Sequence, residues 1–253
     1  MTSNVRQVAI GSHTIFVDDD QPTFWERVEA GRWEPGTLGV LERFLRPGSL
    51  FLDIGTWVGA LTLYAASLGA EVVAVEADPK ALEQLGRNLA ANPHLAERVR
   101  VVPRAIAAAA GPVRLGARRK PGDSMSSVLL AGAGETWTSP SVTPGEIAFG
   151  IPGRRRFDLV KIDIEGGEYA LLPQLGPILD RAAALLLALH PDILQASGAE
   201  LEPRNTLEIL RGWNVERVGT TDLVPARLED VVEAGPAEWL FTRADGLPPV
   251  EPS

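Results

Sequence analysis

A chain of 253 residues, 45% hydrophobic and 23% charged, is long enough for one large α/β domain and has the balance of a globular protein. Its formal net charge of −9 disfavours a nucleic-acid partner, and the absence of cysteine excludes disulfides, thiolate metal sites and a cysteine nucleophile. No apolar run approaches about 18 residues and residues 1–7 lack a signal-peptide core, so a soluble cytoplasmic protein without a membrane partner is expected.

Residues 8–17 alternate apolar and polar about Gly11-Ser12 and predict a β-hairpin, with His13 as a surface strand residue. Helices are predicted over 22–30, stopped by Gly31, and over 37–44, after Trp33-Glu34-Pro35. An N-terminal arm of this kind, 1–46, is expected to cover the mouth of a site, which makes Glu34 and Thr37 candidate ligand contacts.

Pro47-Gly48 turns the chain into S-L-F-L-D-I-G-T-W-V-G (49–59): a strand closed by Asp53, a glycine turn, and a helix over 59–68. Such a turn presents backbone N–H groups to a ligand. A second strand, 71–76, ends in Glu76, where a carboxylate accepts hydrogen bonds from the two hydroxyls of a ribose. Together they predict a bound nucleoside. Gly55 and Gly59 do not complete a dinucleotide fingerprint, because Trp57 stands at the middle-glycine position. An indole there argues against a pyrophosphate on that backbone and suits a phosphate-free nucleoside such as S-adenosylmethionine (SAM).

A helix over 79–91 opens on Asp78-Pro79, His94 falls in a solvated loop, and a strand follows over 99–103. Residues 111–156 break the βα alternation. They carry short strand candidates near 112–115 and 126–130 and two basic clusters, Arg114/Arg118/Arg119/Lys120 and Arg154/Arg155/Arg156, read as solvated loop charges. Substrate recognition is the expected role of this insertion. The rhythm resumes with a strand over 157–164 ending in Asp163, a helix over 168–174, a strand over 185–189 ending at His190, a helix over 203–211, and strands over 215–218 and 238–242. The tail 246–253, with three prolines, is expected to be disordered. The pattern predicts an α/β fold with a doubly wound, mostly parallel sheet over 47–245.

In such a sheet, ligands lie outside the carboxyl ends of the strands. Asp53, Glu76, Asp163 with Glu165 and Glu168 beyond it, and His190 all fall there. Thr56, Trp57, Ala77, Arg104 and Ala105 join Asp53, Gly55, Gly59, Glu76, Glu34 and Asp163 as expected cofactor contacts. Methyl transfer to a hydroxyl needs a base or a metal ion at the acceptor. His190, near neutral in its ordinary pKa, is the natural base, with Asp163 and Glu165 beside it as catalytic candidates. Those three could instead bind Mg²⁺ or Mn²⁺, but they lack a tight ligand spacing and no metal is assigned. Trp57 could face the sulfonium as a cation–π partner or serve as packing.

The stretches F-L-D-I-G-T-W-V-G (51–59), V-V-A-V-E-A-D-P (72–79), L-G-R-N-L-A-A-N (85–92), S-M-S-S (124–127), L-V-K-I-D-I-E-G-G-E (159–168) and L-H-P (189–191) resemble the FkbM family of SAM-dependent methyltransferases. The resemblance implies a class I methyltransferase fold, Rossmann-like and seven-stranded with an antiparallel last strand. It implies O-methylation of a small molecule of sugar or natural-product type. Asp53, Gly55 and Gly59 would form the SAM loop and Glu76 the ribose contact. Two departures stand out: Thr56-Trp57 replaces the more usual Ala-Asn, and Ala188 stands where many relatives carry a glutamate. The family also contains N-methylating members, so N-methylation of a small molecule or peptide is the alternative. A NAD-dependent oxidoreductase and a non-catalytic nucleoside-binding protein are the readings from other classes. A homo-oligomer is left open.

Overall fold

The computed structural model describes residues 5–117, 121–122, 126–130, 135–151 and 156–243. The chain opens with the antiparallel hairpin β1 (Val5–Ile10) and β2 (His13–Asp18), followed by α1 (Pro22–Glu29) and α2 (Pro35–Phe44), each with proline in its first turn. His13 lies in the hairpin with its ring edge-on to Tyr64, 5.9 Å between centroids.

The central sheet contains β3 (Leu50–Ile54), β4 (Glu71–Glu76), β5 (Val99–Pro103), β10 (Leu159–Ile162), β11 (Ala184–Leu189), β12 (Trp213–Val218), β13 (Leu223–Ala226) and β14 (Ala237–Arg243). Its order is β13-β12-β14-β11-β10-β3-β4-β5. The five strands from β5 to β11 run parallel, and β14 inserts antiparallel between β11 and β12. The seven expected strands are present; β13 adds an eighth at the edge, and its Pro225 suits a position without a second neighbour.

Alternate residues of the inner strands feed two cores. Leu52, Val160, Leu185 and Phe241 pack on the face covered by the helices that follow β10 and β11, while Phe51, Leu159, Leu186 and Leu240 face the arm. Burial on both faces explains the unbroken apolar runs. It also explains β11, whose A-L-L-L-A-L composition would suit a helix but whose six residues are all buried within the sheet. The helix α3 (Ala60–Ser67) is buried on all sides beneath the hairpin, and α4 (Pro79–Ala91) is capped by the Asp78 side chain, which accepts from the N–H groups of Lys80 and Ala81.

The insertion forms its own sheet, in the order β6-β9-β7-β8: β6 (Ala105–Ile106), β9 (Thr136–Val142), β7 (Pro112–Ala117) and β8 (Ser126–Ser127). Of the two expected strands, the first is longer and the second shorter than predicted, giving way to a 3₁₀ turn over Val128–Leu130. Strand β9 and the helix Pro144–Phe149 are absent from the sequence reading. Pro140 disguised the strand, although it pairs with Pro112, the first residue of β7, where the ladder can begin without either N–H. The helix carries a capping box, Thr143 with Glu146, legible as T-x-x-E. Arg118, Arg119, Lys120, Arg154 and Arg155 lie outside the described residues, as does the tail 246–253. No helix of the described residues is long and apolar enough to cross a membrane.

The arm is fixed to the domain through L-G-R-N-L-A-A-N. Buried Asn92 accepts the Phe16 N–H at 2.9 Å and donates to the carbonyls of Phe16 and Asn88. Asn88 accepts the Asp18 N–H at 2.7 Å and donates to the Val58 carbonyl at 2.8 Å. The two amides stand in for a strand partner along β2. Asn88→Ala leaves a buried N–H and a buried carbonyl unpaired and is expected to lower the unfolding free energy by about 2–4 kcal/mol, measured by urea denaturation.

Candidate active site

The glycine turn after β3 is dictated by close approach. Gly55 has φ +86°, and a Cβ there would lie 1.8 Å from the Asp163 carbonyl oxygen, so no other residue lets the ends of β3 and β10 meet. Two residues on, Trp57 adopts φ 51° without being glycine. Its N–H donates to Glu76 Oε2 at 2.7 Å, while Oε1 accepts the N–H groups of Ala77 and Asp78, each at 2.7 Å. Burial pushes the Glu76 carboxyl up to about 7 despite these three donors. Glu76, Ala77, Arg104, Ala105 and Ile106 line a cavity of about 210 Å³ with Gly55, Trp57, Asp163 and Glu165.

The insertion covers this cavity. Trp137 Nε1 donates to the Ala77 carbonyl at 3.3 Å, the Gly122 N–H donates to Asp78 Oδ2 at 2.7 Å, and Trp57 Nε1 donates to the Gly122 carbonyl at 3.0 Å. Gly59 lines neither this cavity nor the next. A Cβ on it would meet Leu85 Cδ1 at 2.4 Å, so its place in the motif serves the packing of α3 on α4.

A second cavity, of about 700 Å³, lies between the arm and the strand ends. Phe24, Arg27 and Trp33 form its outer wall, and Glu34, Asp53, Thr56, Lys161 and His190 line it further in. Gly55, Trp57, Asp163 and Glu165 belong to both cavities and form their common wall. The Phe24 ring meets Trp33 and Trp57 edge-on, at 5.2 and 4.6 Å between centroids. Thr37 lines neither cavity: it is buried, and its hydroxyl donates to Glu238 Oε2 at 2.5 Å.

Charge is concentrated on the inner side of this cavity. Lys161, fully buried, pairs in register with Asp53 on β3 and donates to Asp163 Oδ2 at 2.8 Å. Burial works against its ammonium, but Asp163, Glu34, Glu238 and Asp53 together outweigh it and hold the proton above the usual lysine range. Asp163 is correspondingly held below the carboxylate range, with Lys161 and His190 overcoming its burial. Burial instead pushes Asp53 and Glu238 upward, and Asp53 accepts the Thr62 hydroxyl at 2.7 Å. Glu34 is pushed by burial up to about 8 against the pull of Lys161.

His190 stands among three carboxylates: Glu168 at 3.3 Å from Nδ1, Glu165 at 3.7 Å and Asp163 at 3.8 Å from Nε2. Burial opposes its charge, but Glu168, Asp163 and Glu165 prevail and raise it to about 9. The sequence reading makes His190 the base; the three carboxylates around it favour its protonated form. Glu168 is itself fixed by the N–H groups of Ile164 and Gly166, each at 2.8 Å. Glu165, in a left-handed conformation at φ 54°, is pushed by burial up to about 7, and its Oε2 is buried without a hydrogen-bond partner. Asp163, Glu165 and His190 each bring one potential ligand atom to within 4.8 Å of the others. Two protein cations, Lys161 and His190, already face these carboxylates.

Lys161 and Glu238 are absent from the predicted site. Lysine inside F-D-L-V-K-I-D-I was a readable signal, because a cation in a fully buried strand requires carboxylate partners. Glu238 was not readable. It pairs in register with Ala188 on the neighbouring strand, which brings its carboxyl toward Lys161.

A mostly parallel sheet with an antiparallel strand inserted near one edge, a glycine turn at the first strand and an acidic end to the second define a class I, SAM-dependent methyltransferase. Residues 53–211 match the methyltransferase FkbM domain, and the chain belongs to that family. Among solved structures, it is similar to the methyltransferase FkbM of Methylobacillus flagellatus KT, at 15% identity over 85% of this chain and 54% of that one, with a TM-score of 0.47. It is also similar to an rRNA methylase from Streptococcus thermophilus (12% identity, 82% and 93% covered, TM-score 0.44) and to precorrin-6y C5,15-methyltransferase from Geobacter metallireducens GS-15 (15%, 82% and 87%, 0.44).

Lys161→Met keeps the length of the side chain but strands the carboxylates around it. It is expected to destabilise the protein by about 3–5 kcal/mol at neutral pH, the range for breaking a buried ion pair, and urea unfolding measures the loss.

Proposed function

We propose that this methyltransferase acts on a hydroxyl group of a small molecule at the wall shared by the two cavities, with Glu165 as the base. The observation that carries the reading is the position of the Glu165 carboxyl: it lines both cavities, its Oε2 is buried without a hydrogen-bond partner 3.7 Å from His190 Nε2, and burial pushes it up to about 7. A general base works best with a pKa near the working pH.

The residues fit SAM. Glu76 offers carboxylate oxygens to a ribose diol at the end of the second strand, as a nucleoside site of this fold requires. Ala77, Arg104, Ala105 and Ile106 would flank the base. When bound, SAM supplies an electrophilic methyl group on a sulfonium. The protein's part is to orient the acceptor and to dispose of its proton. The wall of Phe24, Trp33 and Trp57 offers apolar surface to an acceptor entering the larger cavity. Glu165 takes the hydroxyl proton, and the His190 imidazolium stabilises the carboxylate form of Glu165 until it does so. Asp163, tied to Lys161, keeps its negative charge throughout and holds the imidazolium from the other side.

Two measurements test this. S-adenosylhomocysteine at about 100 times its dissociation constant is expected to raise the melting temperature by about 5–11 °C, with no shift from NAD; a shift with NAD alone would overturn the cofactor. The rate of methyl transfer is expected to follow a bell-shaped pH profile. It rises as Glu165 loses its proton near 7 and falls as His190 loses its own near 9, both limbs being properties of the coupled cluster. Glu165→Gln should abolish the rising limb together with most of the activity, and a profile that keeps this limb in the variant assigns the base elsewhere.

A further inference from the structure

We infer that the N-terminal arm completes the cofactor site, with the Glu34 carboxylate receiving the primary ammonium at the amino-acid end of SAM. The inference rests on the SAM reading above and assigns a residue outside the matched domain of 53–211.

Glu34 belongs to the wall of the larger cavity, on the side of Asp53, Gly55 and Lys161, whereas Glu76 lines the smaller one. A nucleoside whose ribose meets Glu76 therefore directs its 5′ substituent past Gly55 toward Glu34. Glu34 Oε2 is buried without a hydrogen-bond partner, and the Lys161 ammonium attracts the carboxyl without bonding it. Its neighbours are already engaged: Asp53 accepts from Thr62, Lys161 donates to Asp163, and Glu238 accepts from Thr37. Among the described residues, Glu34 Oε2 and Glu165 Oε2 are the buried, unbonded carboxylate oxygens of this cavity, and Glu165 has its part at the acceptor. A sulfonium carries charge but no N–H or O–H, so it cannot satisfy that oxygen. An ammonium brings three donors.

The backbone is arranged for this task. Glu34 adopts a left-handed conformation, φ 42° and ψ 48°, directly before Pro35. Contacts that do not involve its side chain hold it there. Thr37 donates to Glu238 on β14, and Gly36 packs so closely that a Cβ would lie 2.0 Å from the Gly219 carbonyl oxygen. A non-glycine residue kept in a sparsely populated conformation, with an unsatisfied carboxyl, is a binding group positioned in advance. Facing Lys161, Asp163, Asp53 and Glu238, this carboxyl is pushed by burial up to about 8, and an arriving ammonium favours its charged form.

The test compares S-adenosylhomocysteine with 5′-methylthioadenosine, the same nucleoside without the amino-acid end, by calorimetric titration of the whole chain and of Glu34→Gln. Glu34→Gln is expected to weaken S-adenosylhomocysteine by about 10-fold or more, as for loss of a charged hydrogen bond, and to leave methylthioadenosine within about 2-fold. Unchanged methylthioadenosine binding also shows that the variant is folded. Equal losses for both ligands, or no loss for S-adenosylhomocysteine, would overturn the assignment while leaving the cofactor intact. If neither nucleoside binds the unaltered chain, the cofactor reading fails, and this inference fails with it.

Discussion

The ammonium of Lys161 is the constraint on which the rest of the site depends. A buried cation is tolerable only among carboxylates, and those around it come from four separate segments: Glu34 from the arm, Asp53 from β3, Asp163 from the end of β10 and Glu238 from β14. One charge thus draws side chains of the arm, the glycine turn and the antiparallel strand toward a common point. It also lines the larger cavity with acidic side chains, several of which burial pushes toward their neutral forms.

That acidic lining changes the roles of the titrating groups. Around His190, three carboxylates outweigh burial and favour the protonated ring. At Glu165, burial prevails over the attraction of His190 and keeps the carboxyl near neutrality. In the proposed reading the glutamate, rather than the histidine, therefore takes the part of the base. The cause is the number of acids around the imidazole.

Two covers meet over the strand ends. The insertion is tied to the cofactor side through Trp137 and Gly122, and the arm is tied to α4 through Asn88 and Asn92. Trp57 joins them, donating to Gly122 and resting against Phe24. The indole at the middle-glycine position is thus part of the enclosure. A glycine at that position would allow a backbone approach but could not bridge the two covers.

Much of this was legible in the sequence. The strand–turn–helix at 49–59, the acidic end of the second strand and the βα rhythm determined the sheet, the family and the side of the sheet on which ligands lie, because periodicity and glycine chemistry are local. Asp163, Glu165 and His190 could be placed at strand ends for the same reason. Strand β9 and the eighth strand escaped because proline argues against a strand until its pairing is known: Pro225 lies on an edge strand and Pro140 faces the first residue of β7. What only the tertiary structure decided was which charges face one another: Glu238 reaches the site through an antiparallel register, Lys161 finds its partners across strands, and Glu34 arrives on an arm docked by two asparagines. Protonation follows from burial and from neighbours distant in the chain, and neither is encoded in local spacing.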